Sequence, residues 1–259
     1  NITVDLGSSV DSVLPEDLPL FFAQITLTVL APSRQGQVFF LQKGKPYPAV
    51  KADQTVLEPG EPVAWDRRVL AAERPMRGLV VNSGNANTVT GDQGTRDCAR
   101  MAALAAEVLG VRDEEMLVAS TGVIGRQMPM DKMEAGIRAL SLSREGGFLF
   151  TRAIMTTDTR EKSCAARVEV AGRTYTVGGC AKGSGMIHPD MGTMFAFMTM
   201  DAPADRAWLQ QTLRAVTDRT FNMVDVDMDT STSDTALLFA SGAAGGDVVT
   251  AAHPAAAAL

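Results

Sequence analysis

Along most of this chain, short apolar runs end in small polar residues and give way to stretches whose apolar positions recur every three or four residues. The run GLVVNSG at 78–84 predicts a strand opening into a loop. After it Cys98, Met101, Leu104, Ala105, Val108 and Leu109 fall at helical spacing, and Gly110 stands where a helix C-terminal cap belongs. The same order then repeats. MLVAST at 116–121 predicts a second strand, GVIGRQMP a loop, and Met133, Ile137 and Leu140 one face of a helix with Asp131 as its N-terminal cap. ARVEV and RTYTV alternate with period two around Ala171-Gly172, which predicts a β-hairpin. MFAFMTM, from Met194 to Met200, predicts a buried strand, and Asp205 to Phe221 carries Trp208, Leu209, Leu213 and Val216 at helical spacing. VDVDMD at 224–229 alternates like a half-exposed strand and is followed by a polar TSTSD turn. Strands and helices interleaved in this way predict an α/β or α+β layered protein.

Composition narrows the function classes. The 259 residues are 46% apolar, ample for a buried core. A net charge of −6 and a pI near 5.0, with two Trp and two Tyr, give neither a basic stripe nor a stacking platform for nucleic acid. Small-molecule chemistry is favoured. Cys98, Cys164 and Cys180 are an odd number at unrelated spacings, which suits a reducing, cytoplasmic compartment, and all three are read as small core residues. With only His188 and His253, and no CxxC or CxxH pair, no metal site is expected. The methionines clustered around 186–200 and 223–228 are read as apolar packing. No apolar run approaches the roughly 20 residues of a membrane helix. The chain begins at Asn1 without a basic, apolar leader, so a processed, trimmed or partial product is expected.

The chemistry concentrates in AKGSGMIHPDMGTM at 181–194. A glycine-loosened, proline-bent approach leads to a Gly192-Thr193 bond, directly before the apolar run. A threonine hydroxyl is a poor nucleophile until a base takes its proton, and the simplest base is its own α-amine, freed when the preceding bond is cut. An ordinary α-amine has a pKa of about 7.7–8.0, close to where a general base works best. The chain lacks a GxSxG elbow, lacks the spacing of a phosphate loop in GGCAKGS, and offers two histidines for a Ser-His-Asp triad. A terminal threonine needs none of these. Glycine before the scissile bond tolerates the bent geometry of an acyl shift. Asn85 and Asn87 in NSGNAN are candidates for ordering a loop, with no catalytic role, and His188 is read as a loop residue.

KGSGMIHPDMGTM resembles the autoprocessing motif of the ornithine acetyltransferase (glutamate N-acetyltransferase) family, which usually has alanine where Gly192 stands. VVNSGNANTVTGDQG at 80–94, LVASTGVIGRQMPMDK at 117–132, AIMTTDTREK at 153–162 and FNMVDVDMDTSTSDTALLFASG at 221–242 resemble further family segments, in the family's order. The resemblance implies the DmpA/ArgJ-like fold, with sheets sandwiched between helical layers. It implies self-cleavage into an α-fragment, 1–192, and a β-fragment starting at 193, together forming one structural domain. The family continues for well over a hundred residues beyond the 234–242 region, so the β-fragment at 193–259 is expected to be truncated, and residues 1–65 match the family only loosely.

The resemblance also implies roles. Thr193 is the nucleophile, Thr121 and Gly122 supply the oxyanion hole, and Thr156, Lys182 and Thr193 bind substrate. The acidic residue that holds the substrate's side-chain amine in the family has no counterpart here. The implied activity is ping-pong transfer of acetyl from N-acetylornithine to glutamate, in arginine biosynthesis or in secondary metabolism. It needs no cofactor, although some relatives use acetyl-CoA as donor. The implied assembly is a heterotetramer of the two fragments, with no nucleic-acid or membrane partner. A hydrolase of the same fold and an unprocessed, inactive member are the alternatives.

Overall fold

A computed structural model describes residues 2–5, 37–41, 59–144, 146–170, 172–187, 194–227 and 231–259. Gly192, Thr193 and His188 lie outside the described residues, as does most of the loosely matching 1–65 region.

The first unit is strand, loop, helix, strand, as the apolar pattern predicts. Strand β3, Gly78–Asn85, pairs in parallel with β4, Met116–Val123, from Gly78 opposite Met116 to Asn85 opposite Val123 (β1 and β2 are the short N-terminal strands Ile2–Asp5 and Gln37–Leu41). The connecting helix α2, Gly91–Leu109, buries Cys98, Met101, Leu104 and Ala105, and Gly110 closes it in the left-handed conformation at φ 67°. Helix α1, Glu61–Ala71, closes the outer edge of β4 with side chains: the Trp65 indole donates to the Met116 carbonyl at 3.0 Å, and the buried Asp66 carboxyl accepts from the Val118 amide at 2.8 Å. Helix α3, Met130–Arg138, packs on α2 through Met133 and Ile137. Its N-cap is Pro129 rather than Asp131, which lies inside the first turn, where a carboxylate favours the helix dipole.

The second unit is a larger sheet in the order β1-β5-β6-β7-β8-β2. Strand β5, Lys162–Val170, and β6, Arg173–Lys182, form the hairpin expected around 171–172, and β6 pairs antiparallel with β7, Phe195–Met200. Strand β8, Thr235–Ala240, runs parallel to β7. Alternation along β7 and β8 sends Phe195, Phe197, Leu237 and Phe239 to one face, where they join the core that contains β3, β4 and α2. Ala196, Met200, Ala236 and Leu238 face the other way, against Trp208, Leu209 and Leu213 of α5, Arg206–Arg219. Asp205 caps that helix by accepting the Trp208 amide at 2.9 Å. Two sheets thus lie between helical layers, with α2 on one side and α5 on the other. Each large side chain fully buried there, such as Phe195, contributes about 1.5–3 kcal/mol.

Four further local expectations fail. Residues 224–227 are a bend following a 3-10 turn, not a strand, and Val224 and Val226 are exposed. The Asp227 carboxylate instead accepts the amides of Met186 at 2.6 Å and Ile187 at 2.8 Å, which ties this bend to the approach toward 192–193. Cys164 is exposed because its ladder partner, Gly179, offers no side chain to cover it; Cys98 is buried and Cys180 half-buried. Val216 points to solvent at the end of the α5 stripe, and Met186 and Met223 are exposed while Met194 and Met200 pack as expected. Among the described residues no helix is long and apolar enough to cross a membrane, and no group of His, Cys, Asp and Glu could hold a metal ion.

Candidate active site

The site forms where the C-terminal ends of β3 and β4 meet one end of the larger sheet. The apolar run of β4 ends in Thr121, whose side chain is buried, and Gly122, whose φ is 133°. That conformation is closed to ordinary side chains. A Cβ at Gly122 would also overlap the backbone of Gly84, its ladder partner on β3, and lie 2.6 Å from the Asn85 amide. The loop that follows is pinned to β3: the Asn85 amide side chain donates to the carbonyls of Arg126 at 3.0 Å and Gln127 at 3.1 Å, and the Gly125 amide donates to Thr88 at 2.8 Å. Asn87 donates to the Gly94 carbonyl and accepts from Thr90, so it orders the β3–α2 loop, to which the Gln127 side chain donates at Thr90.

Lys182 enters from the end of β6. It is 2% exposed, its ladder partner is Phe195, and its ammonium stands 5.7 Å from the centre of the Phe195 ring. The ammonium donates to the Thr121 hydroxyl at 3.1 Å and to the Thr156 hydroxyl at 2.9 Å. Helix α4, Gly147–Ala153, brings Thr156 here, since the Ser83 hydroxyl donates to the Ala153 carbonyl at 2.8 Å and locks the helix end against β3. Four residues singled out by sequence, Thr121, Gly122, Thr156 and Lys182, are therefore gathered in one place. Burial holds the Lys182 ammonium below its usual range, with Asp158 and Asp234 opposing that shift and Lys162 adding to it.

Two aspartates frame this lysine, and neither was singled out by sequence. Asp158 accepts from Lys162 at 2.6 Å, the Gly183 amide at 2.7 Å and the Thr156 amide at 3.3 Å. Burial raises its pKa, but these three donors outweigh burial and leave the carboxyl below the usual range. Asp234 is 5% exposed and accepts the Met194 amide at 2.9 Å. Burial pushes it up to about 8, against the Met194 donor and the Lys182 charge. Their only sequence signal is position. Asp158 lies in the TTDTREK segment beside Thr156, and Asp234 is a charged residue flanked by hydroxyls immediately before an apolar run.

Gly192 and Thr193 stand just before the described start of β7. Met194 is held there on both sides, its amide by Asp234 and its carbonyl by the Thr235 amide at 3.1 Å. Chemically, a buried cation that donates to two hydroxyls leaves each hydroxyl proton free to be donated onward. A hydroxyl polarised in this way, beside a glycine amide in a fixed loop, can stabilise a developing oxyanion.

These features describe a mixed α/β protein with two facing sheets and a buried lysine between two threonines. A profile of the ArgJ family matches residues 40–259, and the chain belongs to that family. Among its relatives, the arginine biosynthesis bifunctional protein ArgJ of Symbiobacterium thermophilum is 59% identical over 172 residues, 66% of this chain and 43% of that protein. The protein of the same name from Deinococcus radiodurans is 51% identical over 184 residues, 71% of this chain and 46% of its own length. The crystal structure of ArgJ from Bacillus halodurans is 34% identical with a TM-score of 0.49, covering 66% of this chain and 98% of that one. An ornithine acetyltransferase from Mycobacterium tuberculosis, complexed with ornithine, is 27% identical with a TM-score of 0.47 over 66% of this chain and 99% of that one. The chain spans about half the length of the curated relatives it matches.

Proposed function

We propose that this chain carries the nucleophilic half of an ornithine acetyltransferase, activated by cleavage of its own Gly192-Thr193 bond into fragments 1–192 and 193–259. The observation that supports it most is Lys182, buried and bonded to Thr121 and Thr156 at the sheet end where Met194 is clamped. In the first step the Thr193 hydroxyl adds to the Gly192 carbonyl, the C–N bond breaks, and the nitrogen leaves as the α-amine of Thr193. Water then hydrolyses the ester, releasing the Gly192 carboxylate and the free hydroxyl. In each later cycle that hydroxyl, its proton taken by the new amine, attacks the acetyl carbonyl of N-acetylornithine.

The Thr121 hydroxyl and the Gly122 amide take the oxyanion; each such donor contributes roughly 3 kcal/mol in other enzymes. Ornithine leaves with the proton held by the amine, and the amine of glutamate then takes the acetyl group from Thr193. The buried Lys182 charge suits the substrate α-carboxylate, with Thr156 beside it. The acetyl group rides on the enzyme, so no cofactor is needed. The working protein is a cytoplasmic heterotetramer of the two fragments.

Denaturing mass spectrometry tests the cleavage: two fragments meeting at 192/193 are expected from the parent and a single species from Thr193→Ala. Splitting in that variant would remove Thr193 as nucleophile. Incubation with N-acetylornithine and glutamate tests the transfer. Acetylglutamate is the expected product, free acetate alone would identify a hydrolase, and neither product would identify an inert member.

A further inference from the structure

The parallel ladder between β7 and β8 begins with Phe195 opposite Thr235. Among the described residues its last main-chain bond toward Thr193 is the one from the Thr235 amide to the Met194 carbonyl. Met194 is buried, and among the described residues no backbone carbonyl accepts its amide. Asp234 supplies the acceptor, its side chain extending the ladder by a rung with a carboxyl oxygen at 2.9 Å. A buried amide needs an acceptor in any case, and here the acceptor fixes the residue that directly follows Thr193 in sequence.

We propose that Asp234 is a positioning residue for the threonine chemistry, fixing the first amide after Thr193 so that the nucleophile is presented in one orientation to the Thr121 and Gly122 donors. This rests on the assignment of Thr193 proposed above. Two further observations fit it. The carboxyl is buried, flanked by the buried Ser233 and Thr235, so water cannot take over its role at the amide. Its ionisation state is also separable from its geometry. Among the described residues the charged group facing it is Lys182 on β6, which in turn faces Asp158 and Lys162. Asp158 is held below the usual range and stays ionised at neutral pH and above. Asp234, at about 8, is un-ionised through most of the neutral range and gains its charge above it. An un-ionised carboxyl still accepts the amide while adding no negative charge beside a forming oxyanion.

The test compares Asp234→Ala, which removes the acceptor, with Asp234→Asn, which keeps a carbonyl oxygen in place and stays neutral at every pH. Fragment formation is followed by denaturing mass spectrometry from pH 6 to 9.5, with Thr193→Ala run in parallel. Asp234→Ala is expected to slow cleavage at least about tenfold at pH 7, with Asp234→Asn within about threefold of the parent. The ratio of the Asn variant's rate to the parent's should rise about threefold or more between pH 7 and 9, as the parent acquires a charge that the variant cannot. Parent-like cleavage in Asp234→Ala, or an Asn variant as slow as the Ala variant, overturns the proposal. Should Asp234→Ala fail to fold, the Asn variant decides alone: cleavage within about threefold of the parent at pH 7 supports the role, and cleavage slowed about tenfold or more overturns it. Thr193→Ala separates the two levels: cleavage in that variant sinks the nucleophile assignment, whereas cleavage abolished there and normal in Asp234→Ala sinks only the positioning role.

Discussion

The two halves of the site are built on different physical footings. The β4 half is a matter of shape: a buried threonine and a glycine whose positive φ and contact with Gly84 leave no room for a Cβ. The sheet half is a matter of charge: a buried lysine between two aspartates whose protonation is driven in opposite directions by their surroundings. A shape device works at any pH and fails abruptly when an atom is added. A charge device tolerates isosteric change in its geometry and responds to pH. The contrast predicts which perturbations each half will feel.

The largest effect is expected at Gly122. Substitution by alanine forces an L side chain into a conformation costing about 1–3 kcal/mol and adds an overlap costing a similar amount. Both act on the close β3–β4 pair, so the melting temperature falls, and acetyl transfer falls by about a hundredfold or more because the amide donor moves. The pair Gly122→Ala and Thr121→Val sharpens the reading. The valine deletes only the hydroxyl and should lower kcat about a hundredfold while leaving the strand pairing intact, as hydrogen exchange at β3 and β4 would report. A Gly122→Ala protein with parent stability and kcat would show that shape does not govern this half.

Lys182→Met should separate function from folding on the other side. Removing a buried cation relieves its desolvation, and the flat methionine stem can pack on Phe195, so stability should be unchanged or higher. Binding of a carboxylate substrate should suffer, with KM raised about thirtyfold or more. A loss of stability with an unchanged KM would mean that the lysine is a structural strut between Thr121 and Thr156 and not a substrate contact.

What sequence could and could not reveal follows the same division. The shape half is legible because an apolar run ending in Ser120-Thr121-Gly122 marks both the strand and its end, and Gly110 marks the preceding helix stop. Lys182 is legible through its motif. The aspartates are not, since Asp158 and Asp234 owe their properties to partners from remote elements: Gly183 for one, Met194 and Lys182 for the other. Local alternation also misleads at 224–227, where Asp227 is used to hold the Met186 and Ile187 amides and no strand among the described residues pairs with the valines. A period of two gives strand propensity but not a partner.

The effect most specific to the charge half is in the pH dependence of stability, gradual from one pH unit to the next. Asp234 has an unfolded pKa of about 3.9 and a folded one of about 8. The fold binds the extra proton, so the stability it contributes is complete below about pH 4, declines as pH rises toward 8, and is level above that, by at most about 1.4 kcal/mol per pH unit. Asp158 runs the other way. Its folded pKa is depressed, so its contribution is present above the unfolded value and is lost as pH falls through the folded one. Urea denaturation at a series of pH values should therefore show Asp234→Asn flattening the decline between about pH 4 and 8 without touching the acid limb below it, and Asp158→Asn weakening the acid limb without touching the decline. Asp158→Asn should also cost about 1–3 kcal/mol near neutrality through the weakened acceptor for Gly183 and Lys162. If the two variants change the same limb, the aspartates titrate as one coupled group through Lys182, and the opposition between them, which makes this half a charge device, is not there.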